Sequence, residues 1–267
     1  MTVFSFISAS GGCGRTALAC GAAAALARKE NNENKENSGN VLVIDMCAGN
    51  RMADMYLGLD SRIVYDLSDA LDGEHDRAIT MHGGMDRLSF IAAPLGNMSI
   101  GADTFAAMLA KIRDKFEWII LDCPTGFSEN TRTALLACDK SFIIVTPENA
   151  AVRAAERVVS EIRSAGLCRP DVIVNRVIPE YIAQGTQLSP DAVAQSLDLR
   201  VIAAIRENDG IYRACLGGTI AALNERSMEY AAMLALAERL RTGEAPKGYM
   251  IKKRFISSQV YISEVPA

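Results

Sequence analysis

Several short stretches of this chain are apolar almost from end to end and stop on a polar residue. They include Val41-Leu-Val-Ile-Asp45, Trp118-Ile-Ile-Leu-Asp122, Ser141-Phe-Ile-Ile-Val-Thr146 and Asp171-Val-Ile-Val-Asn175. A strand with one wet face alternates apolar and polar residues. Runs that do not alternate belong to strands covered on both faces. Val3 to Ala9, Arg87 to Ala92 and Arg200 to Ile205 read the same way, giving seven strands. Helical patterns lie between and after them: Arg15 to Arg28, around Ile63 to Leu71, Asp103 to Lys115, Ala150 to Ala165, then Gly210 to Cys215, Thr219 to Leu223 and Ser227 to Arg241. Strands alternating with helices predict an α/β fold: a mostly parallel, doubly wound sheet in three layers. At 267 residues, 49% apolar and 22% charged, the chain has the length and composition for one such domain. We read that domain as 1–245, with 246–267 as a tail.

The first strand leads into Ser8-Ala-Ser-Gly-Gly-Cys-Gly-Arg-Thr-Ala17, at the head of an alanine-rich helix. Strand, glycine turn and helix N-terminus together make a phosphate-binding loop. Glycines let backbone N–H groups curl around an anion, and the helix dipole adds partial positive charge there. The pattern G-x-x-x-x-G-K-[ST] places glycine at Ala9 and lysine at Arg15, so the match is incomplete. In parallel sheets, ligands lie beyond the carboxyl ends of the strands. The glycine loop, Asp45, Asp122 and Asn175 all fall at such ends and are expected to converge on one crevice.

Net charge is −4, so no global basic field favours sequence-specific nucleic acid. Seven cysteines without paired spacing suggest reduced thiols and a cytoplasmic setting. No signal peptide or membrane-spanning run is read. His75 and His82 lie in polar segments and read as solvated.

Further segments complete a family pattern. Asp45-Met-Cys-Ala-Gly-Asn-Arg-Met-Ala-Asp54, with Leu57-Gly-Leu59, is similar to a switch I. Asp122-Cys-Pro-Thr-Gly126 is similar to a Walker B and switch II. Thr146-Pro-Glu148, Val174-Asn-Arg176 and Leu188-Ser189 follow in order. With these the chain resembles the MinD/ParA family of P-loop ATPases with a deviant Walker A motif, nearest the septum site-determining MinD type. These bacterial proteins position division sites, chromosomes, plasmids and surface organelles. The resemblance implies a SIMIBI-like P-loop NTPase fold and an ATP-dependent homodimer switch that recruits a partner protein of the positioning system. It also implies ATP and Mg²⁺ as cofactors. By position, Gly11, Gly12, Cys13, Gly14, Arg15, Thr16 and Ala17 would surround the phosphates, and Asn175 and Arg176 would lie at the base. Thr16 and Asp122 would hold the metal. Arg15, Asp45 and Asp122 would carry the chemistry.

Three departures fall on the parts that do chemistry. The family's signature lysine is replaced by Ser10, and the ordinary P-loop lysine by Arg15. The carboxylate that positions the attacking water is replaced by Cys47. Arginine keeps the charge but is a planar fork, not a point charge. A thiol near its normal pKa of about 8.5 is a poor carboxylate. One such loss commonly costs about 10²–10³ in rate, so hydrolysis is expected to be weak or lost. The alternative is a non-hydrolysing scaffold that recruits partners. Cys13, Cys47 and Cys123 fall in the three segments facing the site, which raises a thiol-cluster reading. Their spacing is not ligand-like, and tolerated small residues are the simpler account. In the tail, Lys252-Lys-Arg254 between apolar residues suits peripheral contact with the inner face of the membrane. The β-branched and aromatic content of Phe255 to Ile262 suits an extended strand.

Overall fold

The computed structural model describes residues 1–28, 39–243 and 260–261. The polar stretch from Lys29 and the basic triplet of the tail lie outside the described residues. The strands are β1 (Thr2–Ser8), β2 (Val41–Asp45), β3 (Thr80–Met81), β4 (Leu88–Ile91), β5 (Trp118–Thr125), β6 (Lys140–Val145), β7 (Asp171–Val177), β8 (Val201–Arg206) and β9 (Val260–Tyr261). The helices are α1 (Arg15–Arg28), α2 (Ala53–Leu57), α3 (Leu67–Asp69), α4 (His75–Ala78), α5 (Ala102–Ile112), α6 (Glu129–Ala137), α7 (Asn149–Ser164), α8 (Pro179–Ala183), α9 (Pro190–Leu197), α10 (Asp209–Leu216) and α11 (Met228–Thr242).

One sheet runs β3-β4-β2-β5-β1-β6-β7-β8-β9. The seven inner strands are parallel, and the short outer β3 and β9 are antiparallel. All seven predicted strands are present. β9 lies within the stretch read as extended, and β3 is an addition. β1 sits at the centre because the chain builds β2 and β4 on one side, returns through β5, then builds β6 to β8 on the other. This reversal opens a crevice at the carboxyl end of β1.

Side chains of β1 alternate between two cores. Phe4 and Phe6 pack with Trp118, Phe142, α1 and α11 on one face. Val3 and Ile7 pack with α5, α6, α7 and α9 on the other. α1 is buried from Leu18 to Ala27, so small alanines let the sheet and α11 approach it closely. The helices missed in the sequence have local causes. α6 is capped by Ser128, whose hydroxyl accepts from the Thr131 N–H. α9 begins with Pro190 after Ser189, which accepts from the Ala192 N–H. Both are N-terminal signals that hydrophobic periodicity alone overlooks.

The segment read as a helix around Ile63 to Leu71 is instead broken. A 3₁₀ turn at Asp60–Arg62 precedes α3, and a wide π turn over Ala70–Glu74 follows it. Gly73, with φ of 108°, interrupts that last turn.

Candidate functional site

The carboxyl ends of β1, β5, β7 and β8 border a cleft of about 590 Å³. Residues 10–17 line it together with Asn175, Arg176, Glu207 and Tyr212. The glycine loop is held by the fold as well as by its own conformation. Gly12 and Gly14 have φ of +75° and +85°, which side-chain-bearing residues rarely adopt. A Cβ on Gly14 would also collide with the side-chain nitrogen of Asn175. That nitrogen donates to the Cys13 carbonyl at 2.8 Å. Asn175, expected at the base, thus fastens the loop to the end of β7. Arg176 lies at the rim, where its Nη1 donates to the Gly12 carbonyl at 3.3 Å and its Nε to Glu207 at 2.6 Å.

The floor is built around Arg15. Its side chain is 11% exposed and points inward, with Nε 2.6 Å from Asp122 Oδ1. Nη1 donates to Ser8 Oγ at 3.1 Å, and Nη2 to Thr16 Oγ1 at 3.3 Å and Cys47 Sγ at 3.2 Å. Thr16 Oγ1 in turn donates to Asp122 Oδ2 at 2.7 Å. Burial opposes the charge of the guanidinium, but the Asp122 carboxylate outweighs it and holds Arg15 protonated. Asp45 is fully buried. It accepts from the Cys47 N–H at 2.8 Å and more weakly from Ala53 at 3.4 Å. Burial, then the nearby Asp122 charge, pushes its carboxyl up to about 7. Asp45 thus anchors both ends of the 47–53 stretch from beneath. Asp54, at the end of the same segment, is buried against Arg51 at 2.6 Å.

Cys47 is pushed far above the ordinary thiol range by burial and by Asp122 and Asp45. At neutral pH it is a thiol with no base function. The thiol-cluster reading does not survive. Cys13 packs in the core on the α1 face and Cys123 in the core on the opposite face, so the sheet separates them. Burial raises both. The solvated reading of His82 is also corrected. Its Nε2 lies 3.2 Å from the Leu57 carbonyl, and its Nδ1 accepts from the Gly84 N–H at 3.2 Å.

Asp45, Cys47 and Asp122 bring metal-type donor atoms within 4.8 Å of one another. Thr16 and Asp122 are the pair expected to hold Mg²⁺. As the side chains stand, a divalent ion does not fit between them. Both Asp122 oxygens are engaged, and the cation already there is Arg15. Two unit charges about 4 Å apart at an effective dielectric near 20 repel by about 4 kcal/mol, and a divalent ion doubles that.

Comparison with known proteins follows the same lines. The family described as cellulose biosynthesis protein BcsQ matches residues 1–165. The chain belongs to this family. Its wider kin are MinD and ParA ATPases, so the MinD/ParA assignment holds. The septum site-determining protein MinD of Synechocystis is 29% identical over 244 residues, covering 90% of this chain and 89% of that protein. The MinD chain in the MinC:MinD cell division complex of Aquifex aeolicus superposes with a TM-score of 0.81 at 29% identity, covering 92% of this chain and 98% of that one. MinD of Pyrococcus horikoshii, solved with Mg-ADP, shares the fold at a TM-score of 0.75 and 22% identity, over 90% and 96% of the two chains. None of the described helices is long and apolar enough to cross a membrane.

Sequence reasoning missed Ser8, Thr125, Glu207, Asn208 and Tyr212 in the site. Glu207 and Asn208 follow the end of β8, so the strand-end rule that found Asn175 would have found them. Ser8 and Thr125 end β1 and β5, so the same rule reaches them, and Arg15 Nη1 donates to their hydroxyls at 3.1 and 3.5 Å.

Proposed function

We propose that this chain is a nucleotide-binding positioning protein that binds ATP in the cleft and hydrolyses it weakly or not at all. ATP binding would favour a homodimer that recruits a partner of the positioning system. The observation that carries the reading is the clamped glycine loop at the head of α1. Its φ-positive glycines, the Asn175 tie and the helix N-terminus together suit a polyphosphate. The weakness of hydrolysis rests on Cys47. A buried thiol stands where the family has a water-positioning carboxylate, and phosphoryl transfer depends on such positioning. Residues 1–245 would form the nucleotide-binding domain and 246–267 a tail that touches the membrane weakly. Kinship to BcsQ, described as a cellulose biosynthesis protein, and to septum site-determining MinD supports selection of the division site, or a related polar assembly, as the process served.

A second reading has its own support. Arg15, though it lines the cleft, is spent on Asp122, as expected of a scaffold that keeps the fold without the ligand. Calorimetric titration of the purified protein with ATP and Mg²⁺ under reducing conditions separates the two. A micromolar Kd, with light scattering showing dimers only when ATP is present, supports the switch. No heat of binding up to millimolar ATP leaves the scaffold.

A further inference from the structure

We infer that Arg15 is the resident cation of this site and takes the place of a divalent metal, so that the site works without Mg²⁺. Three observations meet here. The guanidinium bonds both to Asp122 and to Thr16, the two side chains placed to hold a metal. It also touches Cys47, one of the three residues whose donor atoms cluster with metal-like spacing. Its position is fixed by five polar partners, Ser8, Thr16, Cys47, Asp122 and Thr125, so it is not a wandering side chain.

A planar guanidinium differs from a metal ion in a way that matters. It cannot polarise a bound water as a divalent ion does, but it neutralises charge permanently and needs no supply of ion. A nucleotide meeting this floor would find its counter-charge already covalently in place.

The first test needs no nucleotide. Thermal melts of the full-length protein are compared in EDTA and in millimolar Mg²⁺, for the wild type and for Arg15→Met. The wild type is expected to be indifferent to Mg²⁺. Arg15→Met, which leaves Asp122 without a cation, should gain about 3 °C when Mg²⁺ is added. A wild type stabilised as much as the variant overturns the inference, as does a variant that ignores the metal. The second test uses only the wild type, in case the variant does not fold, and rests on the nucleotide reading above. ATP affinity in EDTA should stay within about threefold of that in Mg²⁺, whereas a tenfold or greater loss in EDTA overturns the inference. If ATP binds in neither buffer, the nucleotide reading fails, and the melts alone decide the role of Arg15.

Discussion

Arg15 and Arg176 border the same cleft, and each places Nε 2.6 Å from a carboxylate. The two pairs nevertheless do different work. At the floor, the side chains of Arg15 and Asp122 are 11% and 1% exposed; at the rim, those of Arg176 and Glu207 are 51% and 37% exposed. A buried pair that loses one member leaves a charge stranded in low dielectric, whereas an exposed pair is replaced by water. Bond length says little about importance here; the surroundings of the charge say most. The backbone adds a further contrast. Arg176 has φ of 62°, a left-handed conformation unusual for a residue with a Cβ. It is held by Gln187, whose Nε2 donates to the Arg176 carbonyl at 3.2 Å while its Oε1 accepts from the Ile178 N–H at 2.8 Å. The rim is thus fixed through its main chain and the floor through its side chains.

The sharpest way to break this contrast is Asp122→Ala. It strands the Arg15 guanidinium and should cost about 3–5 kcal/mol in urea unfolding; a cost below about 1 kcal/mol would put the floor on a par with the rim. Next in size is Asn175→Ala, which frees the Cys13 carbonyl and loosens the glycine loop. A loss of about 1–2 kcal/mol is expected, with faster amide hydrogen exchange at residues 11–14. The rim pair is tested by a double-mutant cycle on Arg176 and Glu207, read by chemical denaturation. The coupling should be only about 0.2–1 kcal/mol and should fade in high salt.

The smallest effect concerns His82, whose burial lies between these extremes. Burial lowers its pKa, against the raising influence of the Leu57 carbonyl. The unfolded chain therefore takes up the proton first as pH falls. Stability is full above the unfolded value of about 6.5 and is lost as pH drops through the lower folded value. Asp45, whose buried carboxyl is raised to about 7, favours the fold as pH falls over the same range, so the His82 effect is read as a difference: in thermal melts between pH 7.5 and 5, His82→Asn should gain slightly on the wild type as pH drops.

The architecture was legible because its signals are local and repeated. Non-alternating runs such as Val41–Ile44 and Ile119–Leu121 can be satisfied only by burial on both faces, and the glycine loop marks itself by composition. The strand-end rule places Asp45, Asp122 and Asn175 at one end of the sheet; Asn175 lines the cleft, whereas Asp122 and Asp45 lie buried beyond its lining. The short helices after Ser128 and Ser189 were harder to see, because a cap and two turns carry little periodicity.

What the sequence determined by itself was the α/β sheet, the place of the cleft and the list of residues that depart from the family pattern. Only the tertiary structure decided what those departures do. Nothing in Gly-Arg-Thr says whether the guanidinium faces a ligand or turns under the loop. That depends on Asp122 and Cys47, 107 and 32 residues away along the chain, and on a floor dry enough for their charges to matter. The same holds for Asn175, whose partner is a backbone carbonyl on another strand's loop. Chain order fixes which groups are available; the dielectric and geometry that select among them exist only once the sheet has closed around them.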